Sequence, residues 1–203
     1  MRFLVRLKNT NGFTPRDRKE LSKIAYDEVR TLNADIGNLR VSPVAIEFDL
    51  LAQSKHVMEL CLTKLIERLG PALTVRELDL PPQPSTPAAS VKDGIALFNE
   101  ERYWESHESL EAAWKPATGV ERDILQGIIL LAASLVHLQK DESEIALSIM
   151  QRANAKLPQQ GELYGVELTK LKRQVEQLLS ENRPAFLKLP LKEAGGPERN
   201  RAS

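Results

Sequence analysis

Cysteine, tryptophan, net charge and long apolar runs are all scarce in this chain, and each shortage excludes something. One cysteine, Cys61, stands among 203 residues, so no internal disulfide forms. That favours an intracellular, cytoplasmic setting, and the apolar helical pattern around Cys61 makes it a buried structural thiol. The two tryptophans, Trp104 and Trp114, read as packing residues and not as a stacking platform. Twenty-eight basic residues balance 28 acidic ones, which gives no strong nucleic-acid signal and no broad attraction to an acidic membrane. The longest apolar stretch, residues 124–138, is interrupted by Gln126, Ser134 and His137. It falls short of the roughly 20 apolar residues that a membrane span needs. The opening MRFLVRLKNTNG sets arginines inside a short apolar run and reads as a strand instead of a signal peptide. The partners left are a protein or a small molecule.

What is present suffices for a core, because 42% of the residues are hydrophobic. Arg2 to Lys8 alternates apolar and basic side chains at the period of a half-exposed strand. Thr14-Pro15 reads as the cap and first residue of a helix that ends near Asn33. A second strand signal covers residues 38–51, with Pro43 at a strand start or edge. Ser54 caps the next helix, Gly70-Pro71 stops it, and residues 73–80 alternate again. Strand, helix, strand, helix, strand predicts a small α/β sandwich over residues 1–80. Residues 81–90, PPQPSTPAAS, read as a Pro-rich linker. An all-α helical-hairpin bundle follows over 91–183, with helices at 91–99, 103–114, 120–140, 142–157 and 164–180. Residues 184–203 read as a mostly disordered tail. The fold class is α+β overall.

The stretch YWESHESLEAAW, Tyr103 to Trp114, is unusual because its apolar face carries polar groups. At about 100° per residue, Tyr103, Trp104, His107, Leu110, Glu111 and Trp114 share one arc, with Glu105, Ser109 and Ala112 opposite. A histidine and a carboxylate at i and i+4 sit on neighbouring turns. Buried polar groups of this kind need partners. If Pro116-Ala117-Thr118-Gly119 closes a helical hairpin, Arg122 and Gln126 become the neighbours of Glu111, while His137 lies too far along the axis. The candidate ligand-binding set is therefore His107, Glu111, Trp114, Arg122 and Gln126.

The pattern His107-x-x-x-Glu111-x-x-Trp114, with Leu97-Phe98-Asn99 and Tyr103-Trp104-Glu105 before it and Arg122-x-x-Leu125-Gln126-Gly127 and Ala132-Ala133 after it, resembles a known family. It is similar to an uncharacterised bacterial and archaeal helical domain defined by an H-x-x-x-E-x-x-W/Y signature, over about residues 91–157. Where relatives carry glycine at the turn between the first two helices, this chain has Glu101 before Arg102. The resemblance implies no reaction, but it implies a candidate metal site. His107 and Glu111 are donors suited to a divalent zinc, manganese or iron ion. The neighbouring letters also approach the zinc-protease pattern H-E-x-x-H, but Glu111 replaces the second histidine.

Two functions follow. The first is a buried His/Glu site for a divalent metal or small ligand. The alternative is a tetratricopeptide-like protein-interaction module in which the same pair only fixes helix packing, since the residue 97–107 rhythm is that of a helix-turn-helix hairpin.

Overall fold

Alternation of side chains gives the first strand and helical periodicity the first helix, as the sequence requires. The computed structural model describes residues 1–78 and 86–192. Within it, β1 (Arg2–Lys8) leads through a 3-10 turn at Pro15–Asp17 into α1 (Arg18–Val29). Thr14 and Asp17 form a capping box there, and Asn33 closes the helical stretch in the left-handed region at φ 53°.

The stretch 38–51, expected as one strand, is a hairpin of β2 (Asp35–Val41) and β3 (Ala45–Leu51). Pro43 falls in the connecting bend. Asn38 takes a φ of 51° where the β2–β3 register shifts, so the apolar alternation across 38–51 hides both a bulge and a turn. Ser54 then caps α2 (Lys55–Leu69) by accepting a hydrogen bond from the Val57 amide, and β4 (Ala72–Glu77) follows.

These elements run β1-α1-β2-β3-α2-β4, and their strands form one antiparallel sheet in the order β2-β3-β1-β4. That is a split β-α-β arrangement. Phe3, Val5 and Leu7 of β1 and Ile46, Phe48 and Leu50 of β3 share one face. They cluster with Leu21, Ala25 and Val29 of α1 and with Cys61, Leu65 and Leu69 of α2.

The opposite face of the sheet is also covered. β1 is buried from Phe3 through Leu7, with Arg6 only 5% exposed, and not half-exposed as its alternation suggests. What covers it belongs to the helical part, which runs α3 (Pro87–Asn99), α4 (Tyr103–Trp114), α5 (Gly119–Gln139), α6 (Ser143–Lys156) and α7 (Leu168–Ser180). The cover is chiefly α4 and the turn before it. Seven α-helices and a four-stranded sheet make the described residues α+β. A second apolar cluster joins α3 to α7.

Three boundaries differ from the expectation. Thr86 caps α3 by accepting from the Ala89 amide, so Pro87 to Ser90 are helical instead of linker, while residues 79–85 lie outside the described residues. Residues 164–167 are not helical: β5 (Glu162–Leu163) and β6 (Val166–Glu167) pair across Gly165 before α7 begins.

Residues 184–192, placed in the tail, are packed. Phe186 stacks on Tyr103 at 6.2 Å, Leu187 and Leu189 are buried, and the Asn99 side chain bonds both the amide and the carbonyl of Leu189. Phe186, Leu187 and Leu189 make no periodic element, yet they fill a slot on the bundle. The rest of the expected tail, 193–203, lies outside the described residues. Among the described residues no helix is long and apolar enough to cross a membrane.

Candidate functional site

The arc that α4 buries is centred on Tyr103, Ser106, Leu110 and Ala113, rotated by about 80° from the arc of large side chains. Small residues cause the rotation. The Ser106 hydroxyl donates to the Gly94 carbonyl at 2.7 Å, and a Cβ on Gly94 would sit 2.6 Å from Leu110 Cγ, so α3 approaches α4 on its small-residue side. Trp104 and Glu105 are thereby turned toward the sheet.

His107 and Glu111 are consequently not buried, contrary to the sequence expectation. Their side chains are 32% and 45% exposed, with His107 Nε2 3.3 Å from Glu111 Oε1. Nor do Arg122 and Gln126 reach Glu111. Arg122 Nη1 donates to the carbonyls of Trp114, Lys115 and Ala117, closing the C-terminus of α4, and its guanidinium lies 3.8 Å from the Trp114 ring centroid. This follows from helix chemistry, since the last carbonyls of a helix need donors. Gln126 is half-buried, and among the described residues no hydrogen bond joins it to His107 or Glu111. His137, whose register keeps it from the pair, binds Glu142 through Nδ1 at 2.6 Å.

Of the five candidates, the structure therefore brings together His107 with Glu111, and separately Trp114 with Arg122. Glu111 lines a cleft of about 480 Å3 between β4 and α4, with Arg2, Arg76, Trp104, Glu108 and Lys115 also on its walls. Desolvation raises the Glu108 carboxyl above its ordinary value, opposed by Arg76. Two donors do not make a metal site. Among the described residues no group of three or more His, Cys, Asp or Glu could hold a metal ion, so the zinc, manganese or iron expectation lacks a third ligand.

The densest polar chemistry lies where the sequence gives no motif, on the inner face of the sheet. Glu47 of β3 stands opposite Arg6 of β1 and Arg40 of β2 in the strand register. Its carboxylate is 2.8 Å from Arg40 Nη2 and 3.6 Å from Arg6 Nε, and all three side chains are almost fully buried. Burial pushes the Glu47 carboxyl up, against the pull of Arg40.

Helical residues complete this layer. Arg6 donates to the Glu100 carbonyl, and Arg40 lies 5.5 Å from the Trp104 ring centroid. Glu105 is 5% exposed and meets Arg102 and Arg76. Glu101 occupies the left-handed region at φ 62°, where the resemblance expects glycine. Its carbonyl accepts from Gln139 Nε2 at 3.1 Å, and its carboxylate accepts from the Val44 amide at 3.2 Å. The one signal of this layer in the sequence was that departure from glycine.

With this geometry in place, residues 91–149 match DUF309, described as a domain of unknown function. A crystal structure of a conserved hypothetical protein from Thermus thermophilus is similar at 34% identity, covering 44% of this chain and 94% of that one, with a TM-score of 0.38. Residues 91–149 are thus a DUF309 domain. The matched DUF309 domain takes in α3, α4, α5 and the first half of α6, and hence His107, Glu111 and Glu105. No curated protein matches the chain. Neither similarity attaches a reaction to the DUF309 domain.

Proposed function

We propose that this protein binds an amine-bearing small molecule in the cleft between β4 and α4, with Glu111 and Glu108 as its acceptors. The supporting observation is which charges in the cleft are already engaged. Arg2 is held by Asp49 at 2.7 Å, Arg76 by Glu105 at 3.0 Å, and Glu77 by Lys55 at 3.1 Å. Among the described residues Glu108 has no ion pair within 4 Å, and Glu111 has only the His107 ring. Lys115 is, among the described residues, the cleft's one cation without an ion pair, against two carboxylates with acceptor capacity to spare, so the lining still favours an entering cation, and Trp104 supplies an apolar wall. His107 orients Glu111 from 3.3 Å.

The interaction-module alternative fits the run of antiparallel hairpins but needs a free helical face. The Trp104 and Glu105 side of α4 is occupied by the sheet, which favours the ligand reading. Thermal-shift titration with putrescine and arginine tests it on the wild type, Glu111→Gln and Glu108→Gln. Stabilisation of the wild type that weakens in both variants supports the reading. No stabilisation, or stabilisation that survives both substitutions, refutes it. Stabilisation by zinc or manganese through the same residues would instead place a metal ion there.

A further inference from the structure

The turn between α5 and α6 brings Lys140 up to the start of α1, where Arg16, Arg18 and Lys19 lie close in sequence. These four cations line a cleft of about 380 Å3, together with Pro15, Asp141 and Glu142. Glu142 is already engaged by His137 Nδ1 at 2.6 Å, and Arg18 Nε donates to the Leu39 carbonyl at 3.0 Å. Lys140 is half-buried, and among the described residues its ammonium makes no ion pair or hydrogen bond. Burial lowers its ammonium below the ordinary range, and Arg40 and Arg18 push the same way against Glu142 and Asp49. Cations converging on a partly enclosed space repel one another until an anion joins them.

We propose that this cleft binds a phosphate-bearing small molecule, with Arg16, Lys19 and Lys140 contacting the anion and Arg18 fixed to the sheet beside it. One observation favours a small ligand over a nucleic acid: the whole chain is charge-balanced at 28 against 28. A second groove, of about 340 Å3, shares Pro15, Arg16 and Asp141 and adds Leu138, Pro184 and Phe186 as an apolar wall. It takes the organic body of the ligand while the phosphate lies among the cations. This site is separate from the β4–α4 cleft, so either reading stands or falls without the other.

Calorimetric titration of the full chain with phenyl phosphate and with inorganic phosphate tests the site. Phenyl phosphate should bind saturably at one site, about tenfold tighter than inorganic phosphate, and at least about tenfold weaker in Lys140→Gln and Arg16→Gln. Should either variant fold poorly, lysine acetylation of the wild type read by mass spectrometry supplies an independent measure: phenyl phosphate should protect Lys140 and Lys19 and leave Lys64 reactive. The proposal is overturned by the absence of saturable binding up to about 10 mM, by unchanged affinity in both variants or unprotected lysines, or by an oligonucleotide that binds more tightly and displaces phenyl phosphate.

Discussion

Arg102 holds Glu105 through two parallel hydrogen bonds, Nε to Oε2 at 2.7 Å and Nη2 to Oε1 at 2.8 Å. The pair spans the first turn of α4, and its hydrogen bonds hold the Arg102 guanidinium further above its ordinary range. Arg76 of β4 adds a third contact at 3.0 Å. One carboxylate therefore ties the entry of the helix to the edge of the sheet.

Glu105→Ala should be among the most damaging single substitutions in the chain. It leaves Arg102, itself 20% exposed, without its fork partner and removes the helix-to-sheet tie. The expected loss is about 2 to 4 kcal/mol, as for breaking a largely buried ion pair, measured by urea unfolding.

Glu47 predicts a pH dependence of defined sign. Its folded carboxyl is raised above an ordinary value near 4.5, chiefly by burial, with Arg40, Arg6 and Arg102 opposing and Glu105 reinforcing. A raised acid contributes stability that is fully present below its unfolded value and is lost as pH climbs through the folded one. The stability of the wild type relative to Glu47→Gln should therefore fall as pH rises from about 4 toward neutrality. Urea unfolding of both proteins across that range checks it, and a difference that grows with pH would contradict the assignment.

At Glu101 the backbone and side-chain contributions can be separated. Glu101→Gly and Glu101→Ala both lose the carboxylate that accepts from the Val44 amide. Only alanine keeps a Cβ at φ 62°. Alanine should be less stable than glycine by about 1 kcal/mol, read from paired denaturation curves.

His107→Ala and Glu111→Ala should each cost less than about 1 kcal/mol, because the pair is solvent-exposed and screened at 32% and 45% side-chain exposure. A loss of several kcal/mol in thermal or urea denaturation would mean that the pair carries helix packing.

Periodicity made most elements legible, because apolar side chains repeat at two or at three to four residues wherever one face meets a core. Small residues defeated it on α4. Ser106 and Ala113 face the neighbouring helices while Trp104 turns to the sheet, so weighting large side chains aimed the helix wrongly and placed His107 and Glu111 inside. Glu105 was illegible for a second reason: its partner Arg76 lies 29 positions away on another element, and sequence spacing cannot show such a meeting. Arg6, read as an exposed basic position, hides its charge against Glu47 for the same reason. The glycine-to-Glu101 departure was visible, and it marked the turn where sheet and helices meet.

The layer built on Glu47, Glu105 and Glu101 has a consequence for solubility. An oil-lined seam leaves sticky faces when it parts, whereas much of this one would leave guanidinium and carboxylate groups that water can dress at once. Added salt would weaken the seam's rim, where Arg76 is half-exposed, more than its dry centre.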